Sequence, residues 1–305
     1  MQIITNAQVA SLLSVEQSIT VMRQAFAHYG QAGAMQERVR IDCGKTKLSA
    51  MGAIIPGLNA VGVKVYTTIN GKFCFVIILF SADDGSLLAV MEGDTMTEFR
   101  TAAVTALAAD SMARKDASTL AVFGTGVQAR AHLPALLAVR AFSEILIVGI
   151  EGEQVFAREV AQRYGVACQA VSATEAVARA DVIVTATRSG TPLFDGNAVK
   201  AGAFVAAIGS SKPDTREVDD ALIQRAARIV VEWKKQAASE AGDLLLCEPG
   251  CVDWSQVLEM TDLVRLGHAV RHNESDILLY KAVGVGLEDV ALAEFVYRQL
   301  SAVQD

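Results

Sequence analysis

The sequence has little that would suit a membrane or a polyanion. Its longest apolar runs, such as Phe73 to Phe80 and Ile145 to Val148, fall well short of the ~18 residues that a membrane helix needs. No long run of like charges is present, and 27 Lys and Arg against 34 Asp and Glu leave a formal net charge of -7. A nucleic-acid surface needs clustered cations that would dominate such a balance, so that class of partner is excluded. The opening residues, Met1-Gln2-Ile3-Ile4-Thr5-Asn6, show no basic stretch ahead of an apolar core and a small-residue cleavage site. The expectation is a cytoplasmic protein without a signal peptide.

Cysteine is also sparse. The five cysteines, Cys43, Cys74, Cys168, Cys247 and Cys251, are odd in number and scattered, and three residues rather than two separate the last pair. They read as buried thiols, not as disulfides or metal ligands. His28, His132, His268 and His272 match neither metal nor triad spacing, so no metal is expected. Internal repeats and low-complexity segments are absent.

What is present is apolar texture in quantity. The 305 residues are 52% hydrophobic and 20% charged, with a mean hydropathy of +0.33, enough for a large core and long enough for two domains. Helical spacing from about Val9 to Gly30, with Ser14 as a cap before Val15-Glu16-Gln17, predicts an N-terminal helix. From Arg38 to Val90 short apolar runs broken by Gly and Asp predict an antiparallel sheet with tight hairpins. An alanine-rich helix is expected from Thr101 to Ala113.

Beyond Lys115-Asp116-Ala117-Ser118 strands and helices alternate. Thr119 to Phe123, Glu144 to Val148, Ala167 to Val171, Asp181 to Ala186, Ala203 to Ile208 and Arg228 to Glu232 read as strands of a parallel, doubly wound sheet. Past about Leu266 the texture turns helical, and Ile277 to Tyr280 and Val290 to Leu300 are expected to return to the first domain. The predicted fold is α/β: a Rossmann-type doubly wound parallel sheet over 113–270, plus a smaller α+β substrate and dimerisation domain from 1–112 and 271–305.

The strand Thr119 to Phe123 runs directly into Gly124-Thr125-Gly126-Val127-Gln128-Ala129 and then a helix. The spacing is Gly-x-Gly-x-x-Ala. The first glycine permits a tight turn, the second lets backbone approach a pyrophosphate, and Ala129 allows close packing while the helix N-terminus faces the phosphates. These six residues are therefore cofactor-binding candidates for NADH or NADPH. Glu151, about twenty residues on, leans towards NAD as a ribose ligand, but it reads equally as a solvated helix-start residue, and the preference stays open. Thr187 lies at the carboxyl edge where a cofactor would sit, or is a plain turn residue. Asp214, Glu217, Asp219 and Asp220 read as the acidic start of a helix.

With this loop late in the chain, behind Gly62-Val63-Lys64 and Thr97-Glu98-Phe99-Arg100-Thr101-Ala102-Ala103, the sequence resembles the ornithine cyclodeaminase/μ-crystallin family. Ala207-Ile208-Gly209-Ser210-Ser211-Lys212-Pro213, Glu240-Ala241-Gly242-Asp243 and Tyr280-Lys281-Ala282-Val283-Gly284 extend the resemblance over nearly the whole chain. It implies a homodimer formed through the first domain. It also implies that Arg40, Lys64 and Arg100 bind a substrate carboxylate, a task that suits a guanidinium's paired donors. Arg38 is two residues from Arg40 and would point to the same strand face. Structural ion pairs are the alternative for Lys64 and Arg100.

Two positions separate branches of this family. Where cyclodeaminases carry an acid in the segment matching Gly209 to Pro213, this chain has Ser211; where they carry a glutamate before a Met-Pro step, here Ile55-Pro56, it has Ala53. Both departures point away from a diamino-acid substrate, and the ketimine-reductase branch, which includes μ-crystallin, resembles this chain in having Ser at the Ser211 position. The resemblance implies NAD(P)H-dependent reduction of a small cyclic imino acid such as Δ1-pyrroline-2-carboxylate, or its six-membered homologue, with Lys64, Arg100 and Ser211 as catalytic candidates. Ornithine cyclodeaminase, an acyclic amino-acid dehydrogenase and a non-catalytic cofactor-bound protein are the alternatives.

Overall fold

The computed structural model describes residues 1–304, and the chain divides into two compact units, Met1–Val104 with the stretch from Gly284 onward, and Thr105–Val283. The first unit holds strands β1 (Gln2–Ile4), β2 (Ala34–Met35), β3 (Val39–Cys43), β4 (Thr46–Ile55), β5 (Ala60–Ile69), β6 (Lys72–Ser81) and β7 (Leu87–Glu92). Helices α1 (Asn6–Leu12) and α2 (Val15–Tyr29) lie early in it, α3 (Asp94–Met112) follows β7 and crosses into the second unit, and α11 (Gly286–Gln304) closes the chain. The one N-terminal helix expected from the sequence is two helices. Thr5 and Ser14 each build a reciprocal capping box, with Gln8 and Gln17, so a second cap interrupts the helix at the position that the apolar spacing bridges.

The first sheet runs β1-β7-β6-β5-β4-β2, with β3 paired to β4. Its hairpins are antiparallel, and β5 and β6 turn through Asn70-Gly71, both at positive φ, the geometry of a two-residue hairpin. Strand β5 alternates: Ala60, Gly62, Lys64 and Tyr66 are buried while Val61, Val63 and Val65 are half-open, and α11 packs on β4, β5 and β6. The opposite face is open and apolar. Ile3, Val39, Ile41, Leu48 and Ile54 are 42% to 72% exposed there, and the register sets them in rows with Val61, Val63, Val65, Ile78 and Val90.

The second unit alternates β8 (Thr119–Phe123), α4 (Val127–Val139), β9 (Glu144–Val148), α5 (Glu153–Tyr164), β10 (Ala167–Ala170), α6 (Ala173–Arg179), β11 (Val182–Thr185) and β12 (Phe204–Ala207). Helix α7 (Asp220–Arg225), β13 (Ala226–Val231), α8 (Lys234–Glu240), α9 (Gly242–Leu245), β14 (Leu258–Glu259), α10 (Met260–Leu266) and β15 (Ile277–Lys281) complete it. The eight strands are parallel in the order β10-β9-β8-β11-β12-β15-β13-β14. Both faces are covered, so the strands read as continuous apolar runs such as Leu120 to Phe123 and Ile145 to Ile147, all nearly inaccessible. The order reverses between β8 and β11, the switch point at which such sheets bind ligands.

Three expectations need correction. Ile277 to Tyr280 does not return to the first unit: β15 inserts between β12 and β13, because a run with no polar alternation is suited to the middle of a two-faced sheet. Helix α3 begins at Asp94, not Thr101. The units divide at 104/105 and 283/284, against 112/113 and 270/271 expected, since the inaccessible run Thr105 to Ala109 and strand β15 both belong with the second unit. The cysteines differ too: all five are free thiols, none fully buried, and Cys43 and Cys74 are exposed on the first sheet.

Candidate functional site

Two constellations emerge, one in each unit. In the second, β8 ends at Phe123 and the chain turns at Gly124, whose φ of 113° lies in the region that favours glycine. A Cβ there would stand 2.6 Å from the Ala186 carbonyl oxygen. Gly126 caps α4 in extended geometry and, as a glycine, offers no capping side chain, and an added Cβ would meet nothing within 4 Å. A helix start with open space above its cap glycine suits an anionic phosphate bridge. Ala129 is inaccessible and lets α4 pack closely.

The rest of the loop is tied to its neighbours. The Thr125 hydroxyl donates to the Glu151 carbonyl oxygen at 3.1 Å. Val127 is exposed, and Gln128 Oε1 is a buried acceptor without a partner among the described residues. Glu151 itself is exposed.

Thr187 stands past β11, but its hydroxyl is engaged: it donates to Glu217 Oε1 at 2.6 Å and accepts from the Ser189 N–H at 3.1 Å. Glu217 is not the surface helix-start acid that the sequence suggests. It is inaccessible and also accepts from the Thr187 N–H, the Thr185 hydroxyl and the Gly209 N–H at 2.6–2.7 Å. The start of α7 belongs to Asp219, which accepts from the Leu222 N–H. Ser211 lies half-buried in the loop after β12.

The first unit gathers the charges. Lys64, on the covered face of β5, is 1% exposed and donates to Thr97 Oγ1 at 2.6 Å and Asp289 Oδ1 at 2.8 Å. Its ammonium stands 4.3 Å from the centre of the Phe75 ring. Arg100, on α3, donates to Glu288 Oε2 at 2.6 Å and lies 3.5 Å from Asp289 Oδ1. Arg38 reaches the same place, donating to the Gly284 carbonyl oxygen at 2.8 Å and standing 3.4 Å from Met51 Sδ. Met51 pairs with Lys64 across β4 and β5, so the Arg38 guanidinium lies on the lysine's own row. Arg40 stands one row along, opposite Ser49.

Burial draws the Lys64 pKa from 10.5 to about 8, opposed by the charge of Asp289 and assisted by those of Arg100 and Arg38. The structure thus brings Lys64 and Arg100 together, sets Arg38 beside them with Arg40 one row along the same face, and adds Glu288, Asp289 and Thr97. The two acids open α11 and look in sequence like ordinary helix-start residues; their only signal is their place just after Tyr280-Lys281-Ala282-Val283-Gly284. Ala53 is buried on β4 between Met35 and Gly62. Among the described residues no cluster of His, Cys, Asp and Glu could hold a metal, and no helix is long and apolar enough to cross a membrane.

A chain whose one unit is a parallel doubly wound sheet with a glycine loop at its switch point, and whose other is an antiparallel unit with a buried cationic cluster, has a dinucleotide-binding fold of the dehydrogenase type. Residues 1–304 match the ornithine cyclodeaminase/mu-crystallin family, and the chain belongs to that family. It is 31% identical over 265 residues to a Δ1-pyrroline-2-carboxylate reductase of Bacillus cereus, covering 82% of this chain and 80% of that one. The structure of a probable ornithine cyclodeaminase from Bordetella pertussis superposes with a TM-score of 0.97 at 46% identity, over 100% of this chain and 98% of the other. A Thermococcus litoralis Δ1-pyrroline-2-carboxylate reductase, solved in complex with NADH and L-proline, gives 0.93 at 26% identity, over 100% and 98%.

Proposed function

We propose that this chain reduces a cyclic α-imino acid, Δ1-pyrroline-2-carboxylate or its six-membered homologue, to the corresponding cyclic amino acid, L-proline in the five-membered case. At the coarser level it is an NAD(P)-dependent oxidoreductase acting on a C=N bond, with NADH or NADPH as cofactor. The observation that carries the finer reading is the buried cationic cluster of the first unit. Lys64 pairs with Asp289 and Arg100 with Glu288, and Arg38 donates to the Gly284 carbonyl oxygen beside them. Cations gathered and held in one place suit a substrate carboxylate, and we assign Arg38, which lies on the lysine's row, to that clamp with Lys64 and Arg100.

Gly124 to Ala129 would hold the dinucleotide, whose reduced nicotinamide would supply a hydride to the imine carbon. Lys64 Nζ serves the other end of the C=N bond. With a pKa of about 8 it is protonated at neutral pH yet close enough to neutrality to give a proton to the imine nitrogen. Arg100 and Arg38 orient the carboxylate, and Glu288 and Asp289 fix the cations in place. NADH or NADPH oxidation by purified protein with Δ1-pyrroline-2-carboxylate tests the reading directly.

The clamp makes a second prediction. Arg100→Lys keeps the charge but loses the planar fork that can bond Glu288 and a substrate carboxylate at once, so kcat/KM should fall about tenfold or more, ~1.4 kcal/mol. Wild-type kinetics would assign Arg100 to structure alone.

Cyclodeamination of ornithine remains the second reading, favoured by the description of the 46%-identical Bordetella pertussis protein. Against it stand Ser211 and Ala53, where that reaction would use carboxylates.

We infer further that the chain forms a homodimer through the open face of its first sheet. An antiparallel sheet with one solvated face normally alternates apolar inward and polar outward, whereas here the outward residues Ile3, Val39, Ile41, Leu48 and Ile54 are themselves apolar. A contiguous patch of that kind marks an interface. Ile41→Glu should raise the dimer dissociation constant about a hundredfold or more, since it would bury a charge without a partner. Light scattering across a dilution series reads this, and a wild-type chain that runs as a monomer overturns the inference.

A further inference from the structure

We propose that Glu217 is the positioning residue of the dinucleotide site, one buried carboxylate that binds together the two loops at the carboxyl edge of β11 and β12. The proposal rests on the cofactor assignment above and concerns a residue that it does not use. Glu217 accepts four hydrogen bonds, from the Thr185 hydroxyl, the Thr187 N–H and hydroxyl, and the Gly209 N–H. A carboxylate's two oxygens can take all four donors with none in competition. The first two residues belong to β11 and its following loop and the third to the loop after β12, so the side chain staples adjacent strand ends.

The staple is itself held. Asp243 Oδ1 accepts from the Glu217 and Val218 N–H groups at 2.6 and 3.0 Å, and Asp243 Oδ2 pairs with Lys281 at 2.8 Å. Lys281, on β15, donates to the carbonyl oxygens of Ser210 at 2.5 Å and Ala207 at 3.2 Å. The Gly209-Ser210-Ser211 loop is thereby gripped twice, at the Gly209 N–H by Glu217 and at the Ser210 carbonyl by Lys281. Glu217, Asp243 and Lys281 are all inaccessible, and charged groups survive at that depth only with such partners. Ligands of doubly wound sheets lie at these strand ends, so the network sets the shape of the edge before the cofactor arrives.

Glu217→Gln is the test. An amide offers one oxygen and turns its NH₂ towards N–H donors that need an acceptor, which displaces one loop. The dissociation constant of NADH, read by fluorescence, should rise about tenfold or more, and kcat with Δ1-pyrroline-2-carboxylate at saturating NADH should fall about tenfold or more. The KM for the imine should stay within about twofold, because the residues assigned to its carboxylate lie in the other unit. Leu263→Ala opens a cavity in the core under α10, outside this network. It should lower the melting temperature while leaving NADH affinity and kcat within about twofold.

A folded Glu217→Gln protein with wild-type affinity and kcat overturns the proposal, as does a Leu263→Ala protein that loses both equally. If Glu217→Gln does not fold, Thr187→Val decides on the same readouts: weakened NADH binding supports the proposal and unchanged binding overturns it. A wild-type protein that binds NADH but reduces no cyclic imine defeats the functional reading and leaves the binding comparison intact.

Discussion

Gly126→Val is expected to fold normally and to lose NADH binding, with a dissociation constant raised about a hundredfold or more. The backbone at Gly126, φ -80° and ψ -171°, is one that valine adopts readily, and a Cβ would find open space. The glycine is therefore not needed for the turn. If the space above it admits the pyrophosphate, a branched side chain fills that space and blocks approach to the first N–H groups of α4. Gly124→Val supplies the contrast: positive φ and an Ala186 carbonyl oxygen 2.6 Å from the new Cβ should cost stability first. Fluorescence titration of NADH and thermal melting separate the two cases. Wild-type affinity in folded Gly126→Val would remove the dinucleotide from this loop.

The second large effect is a preference between substrates. Deamination of ornithine by hydride removal requires a neutral α-amine, so at neutral pH a base must first take a proton from the ammonium. The Ser211 hydroxyl is too weak a base for that. The carboxylates of the first unit's cluster, Glu288 and Asp289, are already committed to Arg100 and Lys64. Reduction of a cyclic imine begins from an electrophilic carbon and asks instead for a proton donor, which Lys64 can be. The kcat/KM for Δ1-pyrroline-2-carboxylate should exceed that for proline and ammonia formation from ornithine by about a hundredfold or more, a gap of ~2.7 kcal/mol. Ornithine turnover at an equal or greater rate would reject the reductase reading.

The sequence shows the second unit's architecture well because its strands are buried on both faces. Such runs carry no competing polar signal, and Thr119 to Phe123 and Glu144 to Val148 match β8 and β9 residue for residue. The same property misplaced β15: a continuous apolar strand does not say which sheet it enters. At the site, Lys64 and Arg100 were legible through their motifs, whereas Glu217, Glu288 and Asp289 were hidden because an acid near a helix start already has a sufficient local explanation. Arg38 and Arg40 share a strand face, and which of them stands nearer Lys64 depends on how β3 is offset against β4, which strand periodicity alone does not fix.

The placement of β15 and α11 has a consequence for the order of synthesis. Strand β15 lies inside the parallel sheet, between β12 and β13, yet leaves the ribosome after almost every other strand and helix. Helix α11 is later still, and its Glu288 and Asp289 are the partners of Arg100 and Lys64. A nascent chain stopped short of Ile277 would expose the inner edges of β12 and β13 and lack the Glu288 and Asp289 partners of Arg100 and Lys64. Neither unit can close before these elements are made, so both are expected to gain protease resistance together, once β15 and α11 have left the ribosome.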